Sequence, residues 1–171
     1  MNPTKRDIFL STYRHQRFGL PNSIMHYIAK NPKNTKSYEK SVKSCKYFFV
    51  QNPILVLDSL MYWRNEWSNG SFTEDWTFTD PSTFRAKIWV NDSINIHPKS
   101  SENYIASSII PKIYPKCGVI GLDLQDQIIS CRELMYLCHS VKTLGLECVS
   151  VLDDGGTPLS LTVFSKKQLV D

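Results

Sequence analysis

The chain has 171 residues, 42% hydrophobic and 21% charged, with 8 Phe, 8 Tyr and 4 Trp. That length fits about one domain with at most a small appendage, and so apolar and aromatic a composition excludes intrinsic disorder. The net charge of +4 is uneven: residues 1–50 carry ten Lys or Arg against Asp7 and Glu39, a local +8, and the remainder sums to −4.

The longest apolar runs, Tyr47-Phe48-Phe49-Val50 and Ile54-Leu55-Val56-Leu57, are far shorter than a membrane-spanning helix requires. The N-terminus lacks the apolar core of a secretory signal, so a cytoplasmic or nuclear protein with no membrane partner is expected. The five cysteines, Cys45, Cys117, Cys131, Cys138 and Cys148, form no C-x-x-C pair. Cys45, Cys131, Cys138 and Cys148 lie among apolar residues and are expected as buried thiols, with no disulfide and no metal site. The basic first third points to an acidic partner, either nucleic acid or a protein surface, or else to a solvated lysine-rich helix face.

In chain order, Leu20-Pro21 opens a helix in which Ile24, Tyr27 and Ile28 recur at helical spacing, and Asn31-Pro32 ends it. Thr35 is a plausible N-cap for a second, longer helix. Its apolar face comprises Tyr38, Val42, Cys45, Phe48 and Phe49, and Asn52-Pro53 stops it. Residues 63–81 read as an irregular hairpin or loop, with a turn at Asn69-Gly70. A half-buried strand over Ala86 to Val90 follows, then a helix over Glu102 to Tyr114 that Pro111 ends or kinks. Further on come a strand from Val119 to Leu124, a Ser130-x-x-Glu133 capping box opening a helix through Leu134, Leu137 and Cys138, and a strand over Val141 to Val149. Asp153 to Pro158 reads as a turn.

Val119-Ile-Gly-Leu122-Asp-Leu124 superposes on Val141-Lys-Thr-Leu144-Gly-Leu146 at an offset of 22 residues. Such an offset suits a leucine-rich repeat array, and also an ordinary βαβ unit. In the array, Leu122, Leu124, Leu144 and Leu146 all face the core, and Asp123 and Gly145 point outward. No phosphate-binding, dinucleotide, zinc-protease or nucleophile-elbow motif is present, and the four histidines are scattered. No enzymatic activity and no cofactor are expected.

Leu20-Pro21-x-x-Ile24-x-x-x-Ile28, then Tyr38-x-x-x-Val42-x-x-Cys45-Lys46-x-Phe48-Phe49, resembles an F-box. With the following Asn52-Pro53-Ile54-Leu55-Val56, it is similar to the expanded nematode family of F-box-like proteins, and the resemblance extends over residues 20–164. It implies an α/β fold in which an F-box-like helical hairpin (1–52) precedes a short, irregular leucine-rich-repeat-like β/α region (53–171). It also implies a substrate adaptor whose box docks on the acidic Skp-type linker of a cullin-RING ubiquitin ligase while the C-terminal repeats recruit a protein substrate. By that resemblance the partner-binding residues are Leu20, Pro21, Ile24, Ile28, Val42, Cys45, Lys46 and Phe48. The alternatives are a nucleic-acid-binding module using the same basic helices, which the packing of the aromatics on the apolar face disfavours, and a protein-interaction module outside the ligase pathway.

Overall fold

A computed structural model describes residues 4–14, 17–69, 77–78, 80–99 and 102–159. It is a mixed α/β structure. The chain divides into two compact units, Met1–Ile54 and Leu55–Asp171.

The first unit is helical: α1 (Lys5–Ser11), α2 (Asn22–Lys30), α3 (Thr35–Ser44) and α4 (Lys46–Gln51). Thr4 and Asp7 form a reciprocal capping box that starts α1. Asn34, one residue before the expected cap, starts α3: its side-chain oxygen accepts from the Ser37 amide at 2.8 Å. The single long helix expected from Thr35 to Asn52 is in fact two. Cys45 breaks it with an extended backbone (φ −158°, ψ 130°), and its Sγ accepts from the Tyr47 amide at 3.4 Å. The break re-aims Phe48 into a small core with Met25 and Ala29.

The second unit is built on a six-stranded sheet in the order β3-β2-β1-β4-β5-β7. Its strands are β1 (Ile54–Trp63), β2 (Glu66–Ser68), β3 (Thr77–Phe78), β4 (Lys87–His97), β5 (Gly121–Gln125) and β7 (Thr143–Glu147). Two three-residue strands, β6 (Ile128–Ser130) and β8 (Ser150–Leu152), make a second, parallel sheet. The segment expected to be irregular after Trp63 begins as a tight hairpin. Arg64 and Asn65 both have positive φ (51° and 66°), the twist that joins antiparallel β1 and β2 in two residues. Gly70 of the expected Asn69-Gly70 turn lies outside the described residues.

From β4 onward the strands run parallel. Ser93 sits opposite Gly121 and Ile96 opposite Leu124, and Leu122 pairs with Leu144 and Leu124 with Leu146. The 22-residue offset of the sequence is thus the register of β5 on β7, and β6 on β8 keeps it, with Ile129 opposite Val151. β1 runs the same way as β4, because the contacts Asp58 to Asn91, Ser59 to Ser93 and Trp63 to His97 advance together along both strands. β4 is longer than expected, reaching His97, and its apolar residues Ile88, Val90, Ile94 and Ile96 are fully buried.

Between the strands lie a short α5 (Ile105–Ile109), which passes into a turn of 3-10 helix containing Pro111, and α6 (Cys131–Cys138). The Ser130–Glu133 capping box at the start of α6 is formed, and Leu134 and Leu137 turn inward. The chain leaves β5 for β6 through Asp126 and β7 for β8 through Cys148, each with φ 52°. Beside the first of these corners Gln127 is 1% exposed. Its carbonyl accepts from the Ala106 amide at 3.0 Å, and its amide nitrogen donates to the carbonyls of Glu102, Gln125 and Asp126. One buried side chain thereby satisfies backbone groups of two successive turns.

The expectation that all four leucines of the two L-x-L pairs are buried holds for Leu122 and Leu124, at 1% and 0% exposure. Leu144 and Leu146 are only half-buried. They share the register, but β7 is the last strand of its sheet, so one flank has no neighbouring strand.

Candidate interaction surfaces

Two features of α2 decide what its unit can do. The helix is apolar on two faces, and its partners α3 and α4 cover only one of them. Met25 and Ala29 face inward, at 6% and 2% exposure, against Phe48 and the flanking Phe18, Val42, Cys45 and Tyr47. The rings of Phe18, Tyr47 and Phe48 close this core edge to face, with centroids 5.0 Å apart for Phe18 and Tyr47 and 5.6 Å for Tyr47 and Phe48.

On the other face Leu20, Ile24, Tyr27 and Ile28 stand in the solvent at 50%, 46%, 66% and 41% exposure. Ile24, Tyr27 and Ile28, three and four residues apart within α2, share one stripe, and exposed Leu20 lies just before the helix. Four large apolar side chains in a row outside a folded unit are a place where another surface is expected to sit.

The fixed parts of the unit lie around this stripe. The Tyr38 hydroxyl donates to the Asn52 carbonyl at 2.8 Å and accepts from the Ile54 amide at 2.9 Å, tying α3 to the end of α4. Asn52 Nδ2 donates to the Ala29 carbonyl at 3.1 Å, and Lys30 Nζ donates to the Gln51 carbonyl. Between α2 and α3 a pocket of about 200 Å3 remains, lined by Tyr27, Ile28, Ala29, Pro32, Tyr38 and Phe48 together with the polar Asn31, Lys33, Ser37 and Ser41. Lys33, Lys36, Lys40 and Lys43 are exposed.

The eight residues expected to bind a partner thus divide. Ile24 and Ile28 share the exposed side of α2, and Leu20 and Pro21, which precede the helix, are exposed as well. Val42, Cys45 and Phe48 belong to the core around Met25 and Ala29, and Lys46 is half-buried with its Nζ donating to Thr12 Oγ1. Tyr27, the most exposed member of the stripe, was visible in the helical spacing but is absent from the motif. The pocket had no sequence signal, because its far wall comes from α3.

The sheet unit offers a second surface of a different kind. The outward positions of its parallel strands are mostly polar. Ser59 and Ser93 hydrogen-bond through their hydroxyls at 3.0 Å. His97 holds Asp123 by Nε2 to Oδ2 at 3.2 Å and meets Gln125 Oε1 through Nδ1 at 3.1 Å. The exposed ring of Trp63 lies 5.7 Å from the imidazole. Gly145 leaves room for Asp123: a Cβ there would stand 2.6 Å from Asp123 Oδ1.

Ionisation in this unit is governed by burial. Loss of water contact pushes the Cys117 and Cys138 thiols up to about 11, and burial together with the hydrogen bond to Glu102 pushes the Tyr62 phenol up to about 12. Cys117 is a structural thiol: its Sγ accepts from the Val90 amide at 2.8 Å. No cluster of three His, Cys, Asp or Glu able to hold a metal occurs among the described residues. Nor is any described helix long and apolar enough to cross a membrane. No protein-family model, curated protein or solved structure matches the chain.

Proposed function

We propose that this protein is a non-enzymatic adaptor whose helical unit docks on an acidic protein, the Skp-type linker of a cullin-RING ubiquitin ligase, while its sheet unit presents a polar face to a protein substrate. The observation that carries the reading is the exposed stripe of Leu20, Ile24, Tyr27 and Ile28 on a unit with a large positive charge. Apolar anchors at the centre of an interface dominate its affinity, and a basic surround steers an acidic partner toward them. The F-box-like pattern supplies the identity of that partner. The polar positions around His97 and Asp123 supply a recognition surface on the other unit.

Calorimetric titration of the full chain with a purified Skp-type linker tests the reading. Replacing Leu20 and Ile24 together by Ala is expected to cost about 2 kcal/mol of binding, a loss of roughly thirtyfold. Absence of heat at tens of micromolar sinks it. A nucleic-acid reading, favoured by the exposed Lys33, Lys36, Lys40 and Lys43, predicts instead a steep linear fall of log affinity with log salt. Retention of DNA or RNA at physiological ionic strength would reverse the order of the two.

A further inference from the structure

We infer that the pocket between α2 and α3 is an anchor site for one large apolar side chain, aromatic or branched, carried on an acidic segment of a partner protein. This rests on the reading of the helical unit as a protein-docking module and adds to it the chemistry of the residue that docks.

Size is the first argument. The pocket measures about 200 Å3, and an apolar protein cavity of roughly 150 Å3 accommodates a benzene ring. The space is enough for one large side chain. Polarity is the second. Six of its lining residues, Tyr27, Ile28, Ala29, Pro32, Tyr38 and Phe48, are apolar or aromatic; of the polar ones, Asn31 spends its Nδ2 on the Tyr27 carbonyl at 3.0 Å. Two of the hydroxyls at the pocket are already engaged, Tyr38 with Asn52 and Ile54, and Ser41 with the Ser37 carbonyl at 3.0 Å. Water in such a space finds few partners, so an apolar group displaces it favourably.

Continuity is the third argument. Tyr27 and Ile28 belong both to the pocket and to the exposed stripe, so a segment seated in one continues onto Ile24 and Leu20. A free small molecule has no use for that track. Charge selects the segment. Lys33 stands at the pocket, Lys36 and Lys40 are exposed on α3, and between residues 8 and 54 the only acidic side chain is Glu39. Carboxylates flanking the anchor meet these lysines, and lysines flanking it are repelled.

The test uses the full chain, isotopically labelled, and a short peptide with one Phe among Glu and Asp. Two control peptides carry Lys in place of the acids or Ala in place of Phe. Saturable amide shifts are expected at Tyr27, Ile28, Ser37 and Tyr38 with the acidic Phe peptide, and at least tenfold weaker binding of both controls. Ser41→Leu fills the pocket from its edge and leaves the stripe intact, and it is expected to weaken the peptide at least tenfold with the melting temperature held. Should that variant prove unstable, Lys33→Glu provides the second reading, removing the preference for the acidic over the basic peptide. No shifts up to about 1 mM peptide, equal binding to Ser41→Leu, or equal binding of the basic peptide overturns the inference. The two readings fail separately. Peptide binding without binding of the Skp-type linker leaves the pocket standing and removes the ligase. Linker binding that ignores Ser41→Leu does the reverse.

Discussion

The two units distribute apolar side chains in opposite ways. Six of the eleven large hydrophobic residues exposed among the described residues, Ile8, Leu10, Leu20, Ile24, Tyr27 and Ile28, lie in the first 54 positions. The buried core of that unit, in contrast, is built on Met25, Ala29 and Phe48. In the sheet unit Leu60, Ile88, Val90, Ile94, Ile96, Ile109, Leu122, Leu124 and Ile129 are all at or below 1% exposure. The sheet unit spends its apolar residues on its own stability; the helical unit keeps many of them outside, where only another surface makes use of them. Apolar residues therefore build a scaffold in one place and a docking element in the other.

The largest effect that sharpens this contrast is expected at Leu124. Truncation to Ala leaves a cavity between β4 and β7 and should cost about 2 to 5 kcal/mol in urea unfolding. Leu146→Ala, one strand further out and half-buried, should cost less than half as much. Equal costs would show that β7 is covered in solution and that the edge described here is not one.

Within the helical unit the decisive pair is Met25 and Ile24, adjacent in sequence and about 100° apart around α2, one buried and one exposed. Met25→Ala should lower stability by about 2 kcal/mol, and Ile24→Ala should stay within about 0.5 kcal/mol. If the two are equally destabilising, the stripe is part of a core, and the contrast between the units collapses.

A third expectation concerns alkaline pH. Cys117 and Cys138 titrate from 9 in the unfolded chain up to about 11 in the fold, and Tyr62 from 10 up to about 12. Raised values mean that the unfolded chain gives up these protons first. The stability contributed by the neutral thiols is present in full below about pH 9 and lost as pH rises toward 11, and that of Tyr62 is lost between 10 and 12. The urea midpoint should therefore fall across this range, and Cys117→Ala should flatten the fall between 9 and 11. An unchanged slope in that variant would exclude the thiol as its source.

The smallest effect is expected at Gly145. A Cβ there meets the Asp123 carboxylate, which must turn away from His97, at a cost below about 1 kcal/mol. Asp123→Ala should cancel it in a double-mutant cycle, since the two residues are in direct contact. Additive effects would place the clash elsewhere.

Much of the sheet unit was legible in sequence because its signals are local or repeated. Ser130 and Glu133 specify their helix start through bonds spanning three residues, and the two L-x-L pairs state their own register. The depth of burial was not legible. Leu122 and Leu144 are equivalent in pattern and differ only in having a strand on one flank or on both. The second sheet was missed because three residues carry no period. In the helical unit, the spacing of Val42, Cys45 and Phe48 continues smoothly across the break at Cys45, so periodicity hid it. The candidate stripe was half legible: spacing grouped Ile24, Tyr27 and Ile28. A helix with apolar residues on two faces, however, does not reveal which face its neighbours will take.

The corners at Asp126 and Cys148 bear on how such a chain grows. Both turn at the same backbone angle, 22 residues apart, and neither uses glycine. One storey of the stack is thus a self-contained cassette: strand, left-handed corner, short strand, capped helix. An in-frame tandem copy of residues 121–142 carries every part of its own storey and hands the chain on in the same register. Loss of a single residue inside a corner, by contrast, swaps the faces of every side chain in the short strand beyond it. Gene duplication can lengthen this half of the molecule in whole storeys, and single-codon deletions at its corners are the changes it tolerates least.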